Sequence, residues 1–194
     1  MKLKTLALGF AAVSIPTLAL AKPVTYTIDP THTATLFTWN HFGFSTPSGN
    51  FTDIQGEIIV DEEHPEKSSV NVVIPVSSIN TSVKALDEHL QAADFFDAKK
   101  YPTITFKSTK VETKDKKKFK ITGNLTIKGI TKPVVLETVL NKQAEHPMLK
   151  VPAIGFNATT SFDRSAFNVG AYVPNVSDKI TVNITTEATI PAKK

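Results

Sequence analysis

Histidine is the side chain in this sequence that is best suited to acid–base or metal chemistry near neutral pH. The chain has five histidines and no cysteine. The histidines are His32, His41, His64, His89 and His146. None forms an H-x-H or H-E-x-x-H motif, so a metal site would need residues distant in sequence to converge. We therefore predict no metal site and no cofactor, and only His32 and His41, which flank an aromatic segment, are candidates for a chemical role.

Motifs of nucleophilic and nucleotide chemistry are also missing from the sequence. The segment Gly43-Phe44-Ser45-Thr46-Pro47 lacks the second glycine of the G-x-S-x-G nucleophile motif. There is no phosphate-binding loop and no G-x-G-x-x-G dinucleotide motif. The lack of cysteine excludes thiol catalysis and iron–sulfur clusters. We predict no catalytic residues and a protein that is not an enzyme.

Aromatic residues are concentrated in one short segment. This segment contains Phe37, Trp39, His41, Phe42 and Phe44. Further phenylalanines are spread along the chain as far as Phe167. Such side chains can fill a core, but a barrel of about eight strands can also hold one slim ligand in its lumen. The residues leave both interpretations open, and both faces of the segment 34–44 are partly apolar.

The elements that must position these side chains are mainly strands, because apolar and polar residues alternate with a period of two. In the clearest example, Phe119, Ile121, Leu125 and Ile127 alternate with polar residues. This alternation is typical of antiparallel strands with one buried face. Strands are predicted at 24–29, 34–44, 49–61, 70–76, 103–111, 119–128, 132–141, 154–162 and 180–190. A count of eight to ten strands favours a sandwich or a closed barrel.

One segment departs from this pattern. In residues 82–93 the apolar residues Val83, Leu86, Leu90 and Ala93 follow helical spacing. Thr81 or Ser82 could cap its start. We expect one helix inserted between strands, without a domain boundary.

The first 21 residues are typical of a cleaved export signal. Lys2 and Lys4 precede an apolar run, and Ala19-Leu20-Ala21 matches the small-x-small cleavage pattern. The run is too short to span a bilayer, so we expect no stable membrane insertion. Residues 22–194 are then predicted to form a single domain. Without Lys2 and Lys4 the 22 basic residues fall to 20 against 18 acidic residues, a net charge of +2, which does not suggest a nucleic-acid partner.

Several motifs together resemble the YceI-like family over nearly the whole segment that follows the export signal. They are Ile28-Asp29-Pro30-Thr31-His32, His41-Phe42-Gly43-Phe44-Ser45, Asp87-Glu88-His89-Leu90, Ala93-Asp94-Phe95-Phe96-Asp97, the stretch from Gly123 to Val134, and Arg164-Ser165-Ala166-Phe167. The stretch from Gly123 to Val134 is the most specific of these, and the motifs occur in the family's order.

The resemblance implies an all-β fold, an extended eight-stranded antiparallel lipocalin-like barrel with one inserted α-helix. It also implies a periplasmic location, a long-chain isoprenoid or other lipid ligand in the lumen, and a possible homodimer. Candidates for the lumen wall are Phe37, Phe42, Phe106, Phe156 and Phe162. Candidates for a polar rim that selects the head group are His32, Asn40 and Arg164.

The resulting hypothesis is a periplasmic protein that binds, sequesters or transports a long-chain amphiphile without catalysis. The ligand would be a polyisoprenoid, a quinone-like molecule or a fatty-acid derivative. One alternative is a filled barrel that binds another protein in a stress response. A second alternative is a hydrolase or isomerase that acts on a lipid, with His41 and an acidic partner as acid and base.

Overall fold

The computed structural model describes residues 22–191; the predicted export signal and the last three residues lie outside this range. The described chain contains eleven strand segments and one α-helix. The strands are β1 (Val24–Ile28), β2 (Ala34–Thr38), β3 (Ser48–Phe51), β4 (Gln55–Val60), β5 (Ser69–Pro75), β6 (Ile79–Asn80), β7 (Thr103–Thr113), β8 (Lys118–Ile127), β9 (Ile130–Glu145), β10 (Pro152–Asp163) and β11 (Lys179–Thr189). The helix α1 (Lys84–Leu90) lies between β6 and β7.

The strands form a closed antiparallel barrel. Its order is β1-β4-β5-β7-β8-β9-β10-β11, and the pair Ile28↔Ala188 joins β11 back to β1. Strand β2 continues the position of β1 along β11, while β3 pairs with β2 and β6 pairs with β3. The eleven segments thus fill eight strand positions. The predicted all-β, eight-stranded antiparallel barrel with a single helix is confirmed.

Successive side chains along a strand point to opposite faces of the sheet, and this alternation determines which of them point into the barrel. On β2, Thr35 is buried and Phe37 is partly buried, whereas Leu36 between them is 43% exposed. The face of β2 that carries Thr35, Phe37 and then Trp39 is therefore the inner face. The register Val182↔Phe37 and Ile184↔Thr35 aligns this face with the inward residues of β11.

Two glycines let wall phenylalanines lie close to the sheet. The ring of Phe37 covers Gly49 on the paired strand, where a Cβ atom would lie 2.5 Å from the ring. The ring of Phe106 covers Gly123 of β8 in the same way. Because neither glycine has a side chain, both rings pack against the barrel wall.

The helix is shorter than predicted and starts differently. It begins after Val83, which has no capping side chain, and Ser82 has a left-handed backbone with φ of 64°. Neither predicted cap accepts a hydrogen bond from a backbone N–H of the first helical turn. Instead Asp87 accepts hydrogen bonds from the Thr81 backbone N–H at 2.7 Å and the Thr81 hydroxyl at 2.6 Å. These two bonds tie the helix to the end of β6.

Apolar packing occurs at both ends of the barrel. The larger cluster lies at the helix end and includes Val76 and Phe167, each 1% exposed. The smaller cluster, around Tyr26, Ile154 and Ala188, lies at the opposite end. Within residues 22–191, no helix is long and apolar enough to cross a membrane.

Candidate functional site

The barrel encloses a cavity of about 580 Å³ that is open at the helix end. This volume lies within the range of small-molecule sites in proteins. All eight strand positions contribute inward side chains, and most of these are apolar. The helix contributes Leu86 and Leu90 to the lining at the open end.

All five predicted wall phenylalanines line this cavity. Phe106 is 8% exposed, while Phe37, Phe156 and Phe162 are partly buried. The ring of Phe37 stacks on Trp39 with centroids 5.8 Å apart, and that of Phe162 meets Phe167 edge-on at 5.4 Å. Phe42 differs from the other four because it is 50% exposed and lies at the mouth.

Two loops form one side of the mouth, residues 39–47 and 170–177. The Phe42 N–H donates to the Asn175 carbonyl at 2.8 Å, and the Ser177 N–H donates to the Asn40 carbonyl at 2.9 Å. Neither loop contains an Asp, Glu, Lys or Arg residue. Phe42 and Tyr172 both have left-handed backbones, with φ of 54° and 65°. This side of the mouth is therefore an edge without Asp, Glu, Lys or Arg and with exposed aromatic side chains.

Arg164, one of the three predicted rim residues, lines the cavity. It is only 7% exposed, and its guanidinium group donates hydrogen bonds to backbone carbonyls. Its Nε donates to the Ser177 carbonyl at 2.9 Å and its Nη2 to the Val176 carbonyl at 2.8 Å, while Nη1 donates to the Val169 carbonyl. Burial lowers the pKa of Arg164. The guanidinium group thus holds the second mouth loop in place.

His32 and Asn40, the other predicted rim residues, are not part of the cavity lining. His32 Nδ1 lies 2.8 Å from Asp29 Oδ2, and this hydrogen bond raises the pKa of His32. The Asn40 side chain accepts a hydrogen bond from the Gly43 N–H at 2.8 Å, within its own loop. The structure therefore brings Arg164 together with the wall phenylalanines and leaves His32 and Asn40 outside.

The two histidines of the cavity lining lie at its mouth. His41 is exposed, and its ring meets Phe42 edge-on with centroids 4.7 Å apart. His89 Nε2 lies 2.8 Å from Asp94 Oδ2, and this hydrogen bond lowers the pKa of Asp94. His89 is not among the residues that the sequence predicted for the site, because a solvated or locally bonded imidazole was expected at this position. Its spacing of three from Leu86 was the signal that both share the inner face of α1.

The cavity also contains a group of hydroxyl side chains that sequence reasoning did not identify as a site. These are Thr33, Thr35, Thr138, Thr160 and Thr186. The hydroxyls of Thr33 and Thr186 lie 2.9 Å apart. Four of them lie in the alternating pattern of β2, β9, β10 and β11, which was visible in the sequence, but threonine is also common in strands for its shape alone.

A second chamber of about 250 Å³ lies towards the opposite end of the barrel. Ile58, Val70, Ile121 and Phe156 line both chambers and therefore separate them. Phe156 meets Phe119 edge-on, with ring centroids 6.5 Å apart. Beyond this divider the chamber is lined by apolar residues such as Leu140 and by polar residues such as Gln143.

The sequence is similar to that of known proteins. The family model of the YceI-like domain matches residues 26–188. The protein YceI of Escherichia coli O157:H7 is 36% identical over 189 residues, which cover 96% of this chain and 97% of that protein.

Solved structures also share the fold, among them the following two. Burkholderia cenocepacia BcnA superposes with a TM-score of 0.75 at 24% identity, over 84% of this chain and 99% of that one. A domain from Saccharophagus degradans, described as a polyisoprenoid binding domain implicated in plant cell wall breakdown, superposes with a TM-score of 0.67 at 12% identity, over 86% of this chain and 98% of that domain.

Proposed function

The chain belongs to the YceI-like family, and we propose that it binds a long-chain amphiphile in the lumen of its barrel, without catalysis. The proposed ligand class is a polyisoprenoid, a quinone-like molecule or a fatty-acid derivative. The proposed role is to sequester or transport this ligand in the periplasm. The polyisoprenoid binding domain with the same fold supports this class of ligand.

The observation that carries the proposal is the open, mainly apolar cavity of about 580 Å³. Burial of each CH₂ group contributes about 0.8 kcal/mol, so an apolar tube can bind a long chain without many polar contacts. The five phenylalanines of the wall contribute aromatic rings to this surface. We propose Phe37, Phe106, Phe156 and Phe162 as contacts of the chain inside the barrel and Phe42 as a contact at the mouth.

The periplasmic location rests on the export signal predicted for residues 1–21. A chain released into an aqueous compartment would present the mouth of the barrel to water and shield the hydrocarbon of its ligand. The single domain predicted for residues 22–194 would be sufficient for this role, because the described residues already enclose the cavity.

The two alternative functions receive less support from the geometry. A filled barrel would require the aromatic side chains to occupy the lumen, whereas the lumen contains an open cavity of about 580 Å³. A lipid-acting enzyme that uses His41 requires an acidic partner for this histidine. Within residues 22–191, the His41 ring has no ion pair with a carboxylate.

Native mass spectrometry of the protein purified from bacterial periplasm tests the proposal. We expect a mature chain that begins at Lys22 and carries about one long-chain amphiphile, which denaturing extraction then releases for identification. The same spectrum measures whether the chain is a homodimer. An unliganded mass that does not change after incubation with prenyl quinones and fatty acids would contradict the proposal.

A further inference from the structure

The polar groups of the lumen are confined to one side of the barrel. Four of the five threonines of the lining lie on β2, β9, β10 and β11, and the fifth, Thr33, immediately precedes β2. The inward residues of β4, β5, β7 and β8 that line the cavity are all apolar, for example Ile74, Ile104 and Leu125. A ligand inside the barrel therefore meets hydroxyl groups along one side and hydrocarbon along the other.

The strand register places several of these threonines along the same side of the lumen. Thr35 pairs with Ile184, Ile184 pairs with Ala158, and Ala158 pairs with Thr138, so the four residues form one row across four strands. Thr160 lies in the next row towards the mouth, where it pairs with Val182. Ile184 and Ala158 lie between Thr35 and Thr138 in this row, so the two hydroxyls face the lumen at separate positions.

Thr35 has an unmet hydrogen-bonding requirement. It is 9% exposed, and among the described residues its hydroxyl is the buried side-chain group that lacks a hydrogen-bond partner. Leaving such a group unpaired is unfavourable. Rotation about the Cα–Cβ bond moves the hydroxyl between staggered positions without moving the backbone. Since Thr35 is on the inner face of β2, one of these positions can serve a ligand in the lumen.

Among residues 22–191, no free cation lines the cavity beside these hydroxyls. The guanidinium group of Arg164 is bonded to three backbone carbonyls, and His41 and His89 are at the mouth. A buried charge on the ligand would therefore remain unpaired at the level of Thr35, which is strongly unfavourable. A neutral oxygen, by contrast, can accept a hydrogen bond from a threonine hydroxyl.

We propose that Thr35, on the side of the lumen that also carries Thr138 and Thr160, is a polar subsite whose hydroxyl donates a hydrogen bond to a neutral oxygen acceptor of the ligand, such as a carbonyl group. This inference rests on the proposed function and adds the chemical class of the ligand's polar group. It assigns the oxygen to the interior of the barrel, so the subsite is separate from the mouth and from the predicted rim residues.

The test uses two probes that differ only in the oxygen, a dialkyl ketone with its carbonyl at mid-chain and the alkane of equal length. Affinities are measured by displacement of a fluorescent lipophilic dye from the purified full-length mature protein. We expect Thr35→Val, which keeps the shape and removes the hydroxyl, to weaken ketone binding about 5- to 10-fold, the effect of losing one hydrogen bond. Alkane binding should change by less than about twofold.

Two further variants make this test specific. The double variant Thr35→Val/Thr160→Val should lower the ketone affinity further, while Thr185→Val, at an exposed position of β11, should leave both affinities unchanged. Thr35→Val should also melt at the same temperature as the wild type or higher, because it removes an unpartnered hydroxyl.

Three outcomes would overturn the subsite. Equal ketone affinities in the wild type and the double variant, with both probes bound, would contradict it and leave the carrier function intact. Equal losses of ketone and alkane affinity in Thr35→Val would also contradict it, because the substitution would then affect the packing of the chain rather than a hydrogen bond to the oxygen. Failure of the wild type to bind either probe would contradict both the subsite and the proposed function.

Discussion

At the scale of single residues, Asp29 and His32 form a local pair that responds to pH. Asp29 accepts hydrogen bonds from the Thr31 hydroxyl at 2.6 Å and from the Thr31 backbone N–H at 2.8 Å, and it lies 2.8 Å from His32 Nδ1. The hydrogen bond from the Thr31 hydroxyl, with that from His32, lowers the pKa of Asp29 to about 2. The hydrogen bond to Asp29 raises the pKa of His32 above 6.5.

The signs of these shifts define two pH windows. A histidine with a raised folded-state pKa contributes its full stabilisation below pH 6.5 and loses it as the pH rises through the folded-state value. An aspartate with a lowered pKa contributes above pH 3.8 and loses its contribution as the pH falls towards about 2. The pair should therefore stabilise the fold most between these two windows.

We predict that Asp29→Asn returns the pKa of His32 to about its ordinary value of 6.5, because the carboxylate that favours the imidazolium ion is removed. An NMR titration of the His32 ring measures this change, with the other four histidines as internal references. The stability difference between wild type and variant should be smaller at about pH 8 than at about pH 6. An unchanged His32 titration in the variant would contradict the prediction.

The polar residues show why sequence reasoning was weaker for the rim than for the wall. His32 and Asn40 were chosen as polar residues near the aromatic segment, yet each side chain makes a local hydrogen bond to a residue three positions away. Arg164 was placed at the right end of the barrel, but its bonds to the 169–177 segment depend on tertiary structure. Thr35 went unnoticed because a hydroxyl that fits the strand pattern is indistinguishable from a packing residue until its partners are known.

At the scale of elements, the sequence predicted the ends of long uninterrupted strands closely, but it did not predict where a strand is interrupted. The predicted strand 119–128 corresponds to β8 at Lys118–Ile127, with ends that differ by one residue. The predicted strand 49–61 is divided into β3 and β4 by a bend, and β6 was not predicted. A two-residue strand such as β6 carries no periodic signal, because its pairing with β3 depends on residues distant in sequence.

Strand β8 provides a test of how the wall keeps the lumen open. We predict that Gly123→Ala destabilises the fold by about 1–3 kcal/mol, the usual effect of inserting a methyl group into a packed region. The new Cβ would overlap the Phe106 ring and lie 2.8 Å from the Lys107 carbonyl oxygen, which is fixed in the strand. Chemical denaturation measures the loss of stability, and dye displacement measures whether the moved ring obstructs the cavity.

Gly155→Ala is the matched control for this change. Gly155 also lies inside a strand, but the nearest atom to its added Cβ would be the Thr186 carbonyl oxygen at 3.7 Å, an ordinary contact. The double variant Gly123→Ala/Phe106→Leu should bind the dye better than Gly123→Ala alone, since leucine leaves room for the methyl group. Similar stabilities for Gly123→Ala and Gly155→Ala would show that the ring can move without cost.

At the scale of the whole molecule, the shape of the lumen decides what can bind, and the sequence alone left this shape open. The aromatic residues were equally compatible with a filled core and with a lined tube. The difference depends on ring orientation, and the rings of Phe37 and Phe106 lie against the wall because Gly49 and Gly123 face them. These pairs join residues more than ten positions apart, so local periodicity contains no information about them.

The two chambers together predict how the length of a hydrocarbon chain affects binding. In the wild type, affinity for a series of straight-chain alcohols should rise about fourfold per buried CH₂ group and level off where the chain end reaches the divider. We predict that Phe156→Leu shifts this plateau to longer chains, because a smaller side chain connects the chambers through the gap between Ile58, Val70 and Ile121. Phe156→Trp should shift it to shorter chains.

Phe162→Leu, which enlarges only the first chamber, is the control and should leave the position of the plateau unchanged. A plateau at the same chain length in all four proteins would mean that Phe156 does not limit the depth to which the chain enters.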